Sequence, residues 1–246
     1  MFGALIIGDE LLVGKREDKH LGFLVRALAN RGLRLGWAHY LGDDPARLTG
    51  ALQRSFASSD VVFSFGGIGA TPDDHTRQCA AAALGLPLAL HPEAEREIRA
   101  RFKDQEVTPQ RLAMGEFPQG AAIIPNPVNR IPGFSVADHH FVPGFPQMAW
   151  PMVEWVLESR YRERFDSQKW AEASMLVYEA GESQLIPAMQ AVEREYKGVK
   201  VFSLPSMGAD GSRIHVELGV RGEPAQVPPA MDRLKQEVRS AGFPYK

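Results

Sequence analysis

Short apolar runs alternate with amphipathic stretches over the first 85 residues. Residues 4–7, 33–40 and 61–65 are long enough for strands, and the runs are near-continuous in apolar character, as strands covered on both faces should be. Helical spacing follows each. Leu21, Leu24, Val25 and Leu28 share one face before Gly32 stops the helix, and Leu48, Leu52 and Phe56 repeat behind a capped, proline-bearing start at Asp44-Pro45. A third helix follows residue 65 and ends near Gly85. Three strand-then-helix units predict a parallel sheet with helices on its faces, because a parallel neighbour needs a long, right-handed crossover.

Beyond Gly85 the pattern loosens. Pro92, Glu93, Glu95 and Glu97 begin a charged helix reaching about Phe102, Pro109 opens a shorter helical piece, and residues 121–124 and 139–142 read as strands. Between those strands, residues 125–133 form a proline-rich bend, either a positioned binding loop or a stiff connection. Residues 148–165 predict a long helix whose Met148, Trp150, Met152 and Trp155 belong to a core or a subunit interface. His139 and His140 are adjacent on a strand and point to opposite faces, which prevents them from chelating one ion. The character changes at residues 166–168. After that come a strand (173–178), a helix (182–196) with Pro187 in its first turns, a strand (199–204), a loop (205–212) with Asp210-Gly211, a strand (214–220) and a last helix (228–240). The expected domains are 1–166, an α/β domain, and 167–246, a small α+β domain.

Composition narrows the function classes. The chain has 246 residues, 44% hydrophobic and 24% charged, with a net charge of −2 and the two signs interspersed. That is an ordinary globular profile without the basic stripe of a nucleic-acid or membrane-surface binder. The single cysteine, Cys79, sits in an alanine-rich helical stretch, which predicts a buried, inert thiol and fits a reducing cytoplasm. The sequence has no signal-peptide pattern at its start and no apolar run long enough to cross a bilayer. A cytoplasmic protein without membrane or nucleic-acid partners is expected.

The candidate chemistry lies at the strand ends. Each carries glycine with acid: Gly8-Asp9-Glu10, Gly42-Asp43-Asp44, and Gly66-Gly67-Ile68-Gly69 leading to Asp73-Asp74. Ligands of parallel sheets gather at the carboxyl ends of the strands. The third end, a strand closed by a glycine turn before a helix start, has the layout of a phosphate site, with bare amides and a positive helix dipole. Asp73 and Asp74 would repel phosphate unless a divalent cation lies between, and such oxygen-rich acidic sites suit magnesium or manganese. The structural alternative is that Asp and Thr are helix caps and Gly-Gly is a tight turn.

These three turns, together with Gly14, Thr71-Pro72, Asn126-Pro127, Pro132-Gly133 and Pro143-Gly144-Phe145-Pro146, resemble in order and spacing the competence/damage-inducible protein A family. Its first domain is similar to the molybdopterin-binding domain of molybdenum-cofactor biosynthesis proteins. The resemblance covers residues 1–165, and the small second domain also looks like that family's. The amidase domain found at the far end of many members is not in this sequence, so amidase activity is not expected.

What the resemblance implies is a three-layer α/β/α fold with a mainly parallel sheet, often a homo-oligomer, binding a phosphorylated pterin or a dinucleotide. By motif position Asp43 and Asp74 are the expected catalytic pair, with Asp73 and Asp74 at a metal, Mg2+ or else Mn2+ or Co2+. Gly8, Asp9, Glu10, Gly66, Gly67, Gly69, Thr71, Asn126, Pro127 and Gly144 are the expected contacts to molybdopterin or nucleotide. Some relatives with this domain pair look like metal-dependent pyrophosphatases acting on ADP-ribose or flavin dinucleotide. The sequence departs from the family at Lys19-His20, where Thr or Ser and then Asn are usual after the aspartate, and at Gln147, where an acid is usual. Two functions follow as expectations: a nucleotide pyrophosphatase, or a non-catalytic sensor or assembly protein that keeps the pocket.

Overall fold

The computed structural model describes residues 1–165, 170–208 and 213–246. It divides into two compact units, Met1–Ser167 and Gln168–Lys246.

In the first unit β1 (Phe2–Ile7) is buried along its whole length. Its alternation feeds two cores: Ala4 and Ile6 face one, Leu5 and Ile7 the other. A single turn, α1 (Asp9–Leu12), and then α2 (His20–Ala29) lead into β2 (Leu35–Leu41). Next come α3 (Pro45–Phe56), β3 (Val61–Phe65) and α4 (Thr76–Leu84). A ribbon of β4 (Leu88–Leu90) and β5 (Glu116–Pro118) brackets α5 (Pro92–Arg101) and α6 (Pro109–Ala113). β6 (Ala122–Ile124), β7 (Gly133–Val136), β8 (His139–Val142) and α7 (Pro146–Arg160) complete the unit.

The sheet order is β2-β1-β3-β8-β7-β6, parallel from β2 to β8, with β7 antiparallel to both its neighbours. The unit is a three-layer α/β/α fold on a mainly parallel sheet. On one face Leu24 and Leu28 of α2 join Met152, Val153 and Val156 of α7. On the other, Leu48 and Leu52 of α3 and Ala80 of α4 meet Phe134 and Phe141, whose rings stack at 4.4 Å. Arg31 at the end of α2 is paired with Glu154 and Glu158 of α7, so the two helices of one face are also tied at the surface.

The adjacent histidines separate as the pleat requires. His139 meets the Ser55 hydroxyl at 2.7 Å, and His140 joins Ser135 at 2.8 Å and the Tyr161 hydroxyl at 2.7 Å. The Tyr161 hydroxyl also donates to Asp138 at 3.2 Å.

The second unit has one antiparallel sheet, with β11 (Arg213–Gly222) between β10 (Val199–Met207) and β9 (Ala171–Val177). Helices α8 (Glu182–Glu195) and α9 (Val227–Ser240) bury Leu185, Val192, Leu234 and Val238 against Val177, Val216 and Leu218. This is the smaller α+β module.

Several expectations are corrected. Val25 is 45% exposed instead of lying in the buried stripe, and the long helix stops at Arg160, with a 3₁₀ turn at Arg162–Arg164. Residues 205–207 extend β10 instead of forming a loop, and Asp210-Gly211 lie outside the described residues. The ribbon β4–β5 and strand β7 were not predicted: each has three or four residues, too short for a periodic pattern.

The buried histidines make stability depend on pH. Burial lowers the His139 pKa to about 4 and that of His140 to about 3, against 6.5 for an unperturbed imidazole. Stability from keeping both rings neutral is therefore complete above pH 6.5 and is lost as the pH falls toward the folded values, because the unfolded chain binds the protons first. Denaturant titrations of the full chain should show a loss on the order of a few kcal/mol between pH 7 and 4, beginning above the carboxylate range. A flat profile above pH 5 contradicts it.

Candidate functional site

The first unit's site forms where β1 and β3 end side by side. β3 runs into Gly66 and Gly67, whose φ values of +101° and +69° are poorly tolerated with a side chain. Space forbids one as well. A Cβ on Gly66 would lie 2.4 Å from the Ile7 carbonyl oxygen, and one on Gly67 would lie 2.2 Å from the Thr76 hydroxyl. The first residue of α4 fastens this turn: the Thr76 hydroxyl donates to the Gly66 carbonyl at 3.0 Å and its amide to the Gly67 carbonyl at 3.0 Å.

Two further ties shape the loop that follows. Asp74 accepts from the Thr71 amide at 2.9 Å and from the Thr71 hydroxyl, closing the loop on itself. Arg77, only 3% exposed, donates to the Gly69 carbonyl at 2.8 Å and to the carbonyls of Ala113 and Glu116. A buried guanidinium thus clamps the glycine loop to the segment after α6.

A cavity of about 700 Å³ opens over these turns. Its lining holds Gly8, Gly66, Gly67, Gly69 and Thr71 with four acids, Glu10, Asp43, Asp73 and Asp74. Ile68, Met114, Ile131, Phe145 and Met148 add apolar surface to the same lining. Asp43 and Asp9 are linked reciprocally, the Asp9 amide donating to Asp43 at 2.9 Å and the Asp43 amide to Asp9 at 3.2 Å. Burial raises the Asp43 pKa, and the charges of Asp9, Glu10 and Asp73 add to the rise against the pull of the Asp9 amide. Asp73 is exposed and its pKa is lowered by the polar groups of its loop, the Thr71 side chain first, although the one proton of the Thr71 hydroxyl goes to Asp74. Asp44 is no rim acid: it caps α3 by accepting from the Arg47 amide.

Of the expected residues, Gly8, Glu10, Asp43, Gly66, Gly67, Gly69, Thr71, Asp73, Asp74, Asn126 and Gly144 line this one cavity. Asp9 stands behind it and reaches it through Asp43, and Pro127 is outside the lining. The Asn126 side chain is turned into its own bend, donating to Ile131 at 2.9 Å and accepting from Val128 at 3.0 Å. The proline-rich bend is a positioned wall, since Asn129, Ile131 and Pro132 line the cavity.

Sequence reasoning missed Lys15, Arg16 and Met114, which also line it. The first two follow Gly14 directly, so their only signal was proximity to the first motif. Among the described residues, no three His, Cys, Asp or Glu side chains converge as a metal-ligand set. A magnesium ion held by one or two carboxylates, phosphate oxygens and water needs no such set.

A parallel sheet with glycine turns at its carboxyl edge defines the class, and comparison with known proteins agrees. Residues 3–163 match the family described as probable molybdopterin binding domain, and the chain belongs to that family. A CinA-like protein of Anaeromyxobacter sp. (strain Fw109-5) is 32% identical, over 89% of this chain and 58% of its own length. The chain therefore spans little more than half of that relative. A protein of Pyrobaculum aerophilum is 28% identical over 96% of this chain and 93% of its own. The crystal structure of CinA from Thermoplasma acidophilum, of unknown function, superposes with a TM-score of 0.59 at 27% identity, over 64% of this chain and 95% of that one. No described helix is long and apolar enough to cross a membrane.

Gly66→Ala and Gly67→Ala should each destabilise the first unit by about 1–3 kcal/mol or more, because a positive φ and a backbone or hydroxyl contact both oppose the methyl group. Gly14→Ala, at φ +71° but with no atom within 4 Å of the new Cβ, isolates the conformational part alone and should cost less. Chemical denaturation ranks the three, and an equal loss in all would remove the steric argument.

Proposed function

We propose that the first unit binds a phosphorylated pterin or nucleotide, its phosphate or diphosphate on the amides of Gly67 to Gly69, since the Gly66 amide is taken by the Val142 carbonyl at 3.0 Å, and its ring against the apolar residues of the cavity. The observation that carries this is a single cavity lined both by bare glycine turns with acids and by apolar residues, Ile68, Met114, Ile131 and Met148. Asp73 would hold a magnesium ion together with phosphate oxygens and water, manganese or cobalt serving equally, with Asp74 completing the loop beside it and Asp43 left free of the metal. When bound, that ion neutralises phosphate charge facing the acids.

The same geometry supports hydrolysis of a pyrophosphate bond. Asp43 is partly buried among like charges, which makes its carboxylate a stronger base than an exposed aspartate and suits it to orienting and deprotonating a water. Lys15 and Arg16 supply positive charge at the rim. A cytoplasmic homo-oligomer is part of this proposal. A second reading, a non-catalytic sensor or assembly protein, is favoured by one observation: the Asp74 carboxylate is already engaged by Thr71 and so is less free to take a metal or a water.

Incubating the purified chain with ADP-ribose or flavin dinucleotide in magnesium, manganese or cobalt, with products separated by chromatography, tests both readings. For the enzyme, Asp43→Asn should lower turnover by about 10²–10⁴-fold with little change in melting temperature. Turnover should also decline as the pH falls through the raised Asp43 pKa, since the base acts deprotonated. Metal-dependent binding without product in any of these mixtures selects the sensor, and no binding at all defeats both.

A further inference from the structure

Both helices of the second unit lie on one face of its sheet. Val216, Leu218 and Val220 of β11 pack into the core beneath them, so Glu217, Gly219 and Arg221 occupy the opposite face. The ladder fixes their neighbours there. Lys200, Arg221 and Glu172 make one row across β10, β11 and β9, Phe202 and Gly219 fall in the next, and Leu204, Glu217 and Leu176 make the third. A Cβ on Gly219 would lie 2.3 Å from the Phe202 ring, so the tip of that ring rests on bare backbone. The result is a flat apolar strip, with Leu204 56% exposed at its margin.

The edges of this sheet are closed to a partner strand along much of their length. On β10 every second amide points away from β11, and those of Val199 and Val201 go to the Tyr196 carbonyl at 3.1 Å and the Glu193 carboxylate at 3.0 Å. Pro205, at another of these outward positions, has no amide to offer. On the far edge, Lys246 exchanges both backbone bonds with Leu176, and the Tyr178 amide goes to Pro244. A partner therefore meets the face more readily than either edge.

The charges of that face are self-complementary. The first row carries two cations and one acid, whereas the third carries a single acid, Glu217. A two-fold axis laid across the strands above the middle row brings Arg221 of one copy over Glu217 of the other and Phe202 over Phe202, with the strands of the two sheets aligned. An axis along the strands would instead set Arg221 against Arg221 and Glu217 against Glu217. We infer that the second unit pairs face to face with a second copy of this chain through the Phe202 strip, in the first of these arrangements. The inference gives a surface to the homo-oligomer proposed above and does not depend on what the first unit binds. Three rows of three strands span roughly 300 Å² of sheet. Stable dimers bury roughly 800 Å² per partner, so this pairing is weak and reversible, with a dissociation constant on the order of 100 μM.

Sedimentation equilibrium of the full chain over a range of concentrations provides the test, with thermal melting to verify that each variant folds. Leu204→Asp, at an exposed site, should weaken association roughly tenfold or more. Arg221→Glu and Glu217→Arg should each do the same alone, because each sets like charges face to face. Mixing these two charge variants in equal amounts should restore association, since in the mixed pair every charge again meets its opposite. Should Glu217→Arg melt early for want of its 2.7 Å bond from the Ser174 hydroxyl, Leu204→Asp decides alone. A chain that stays monomeric throughout overturns this surface and the proposed homo-oligomer together. Association unchanged by Leu204→Asp, or folded charge variants that regain nothing on mixing, overturns this surface alone.

Discussion

One close approach of backbone to backbone governs the rest: the turn after β3 passes so near the end of β1 that Gly66 has no room for a single carbon, and the Thr76 hydroxyl denies Gly67 one as well. Two parallel strands ending at the same level would otherwise leave unpaired carbonyls and amides at the sheet's edge. The close turn converts part of that edge into paired backbone, through Val142 and Thr76. The bare glycine surface of the site follows from that contact.

Charge is the second organising theme. Four acids line the cavity, yet the loop that carries two of them is held from beneath by the buried guanidinium of Arg77. Burial lowers the Arg77 pKa, while the fields of Glu116 and Asp74 oppose that shift. The cation bonds carbonyls and no carboxylate, which leaves its field only partly cancelled under the glycine loop. Lys15 and Arg16 add positive charge at the rim. The site is therefore less hostile to anions than its aspartates alone suggest.

Much of this was legible in the chain because its signals are local. Strand runs and the turns at Gly8, Gly42 and Gly66 are short-range patterns, and parallel order brings their ends to one edge without further information. Asn126 and Asp74 show where such reading stops. Both were expected to face a ligand, and the Asn126 amide is spent on its own bend while Asp74 holds Thr71. A motif gives a residue's position but not the partner that claims its polar atoms. Met114 and Arg77 were invisible for a related reason: their roles depend on a segment that returns more than thirty residues later in sequence.

The adjacent histidines of β8 have a consequence for folding. His139 finds Ser55 on one side of the sheet, and His140 finds Ser135 and Tyr161 on the other. Were β8 to slip by one residue against β3, each imidazole would enter the wrong layer and leave a hydroxyl and a ring nitrogen stranded in hydrocarbon. Two apolar residues there would tolerate the slip far better. The pair therefore works as a two-sided key: it selects a single alignment of the strand that joins the parallel half of the sheet to the antiparallel half.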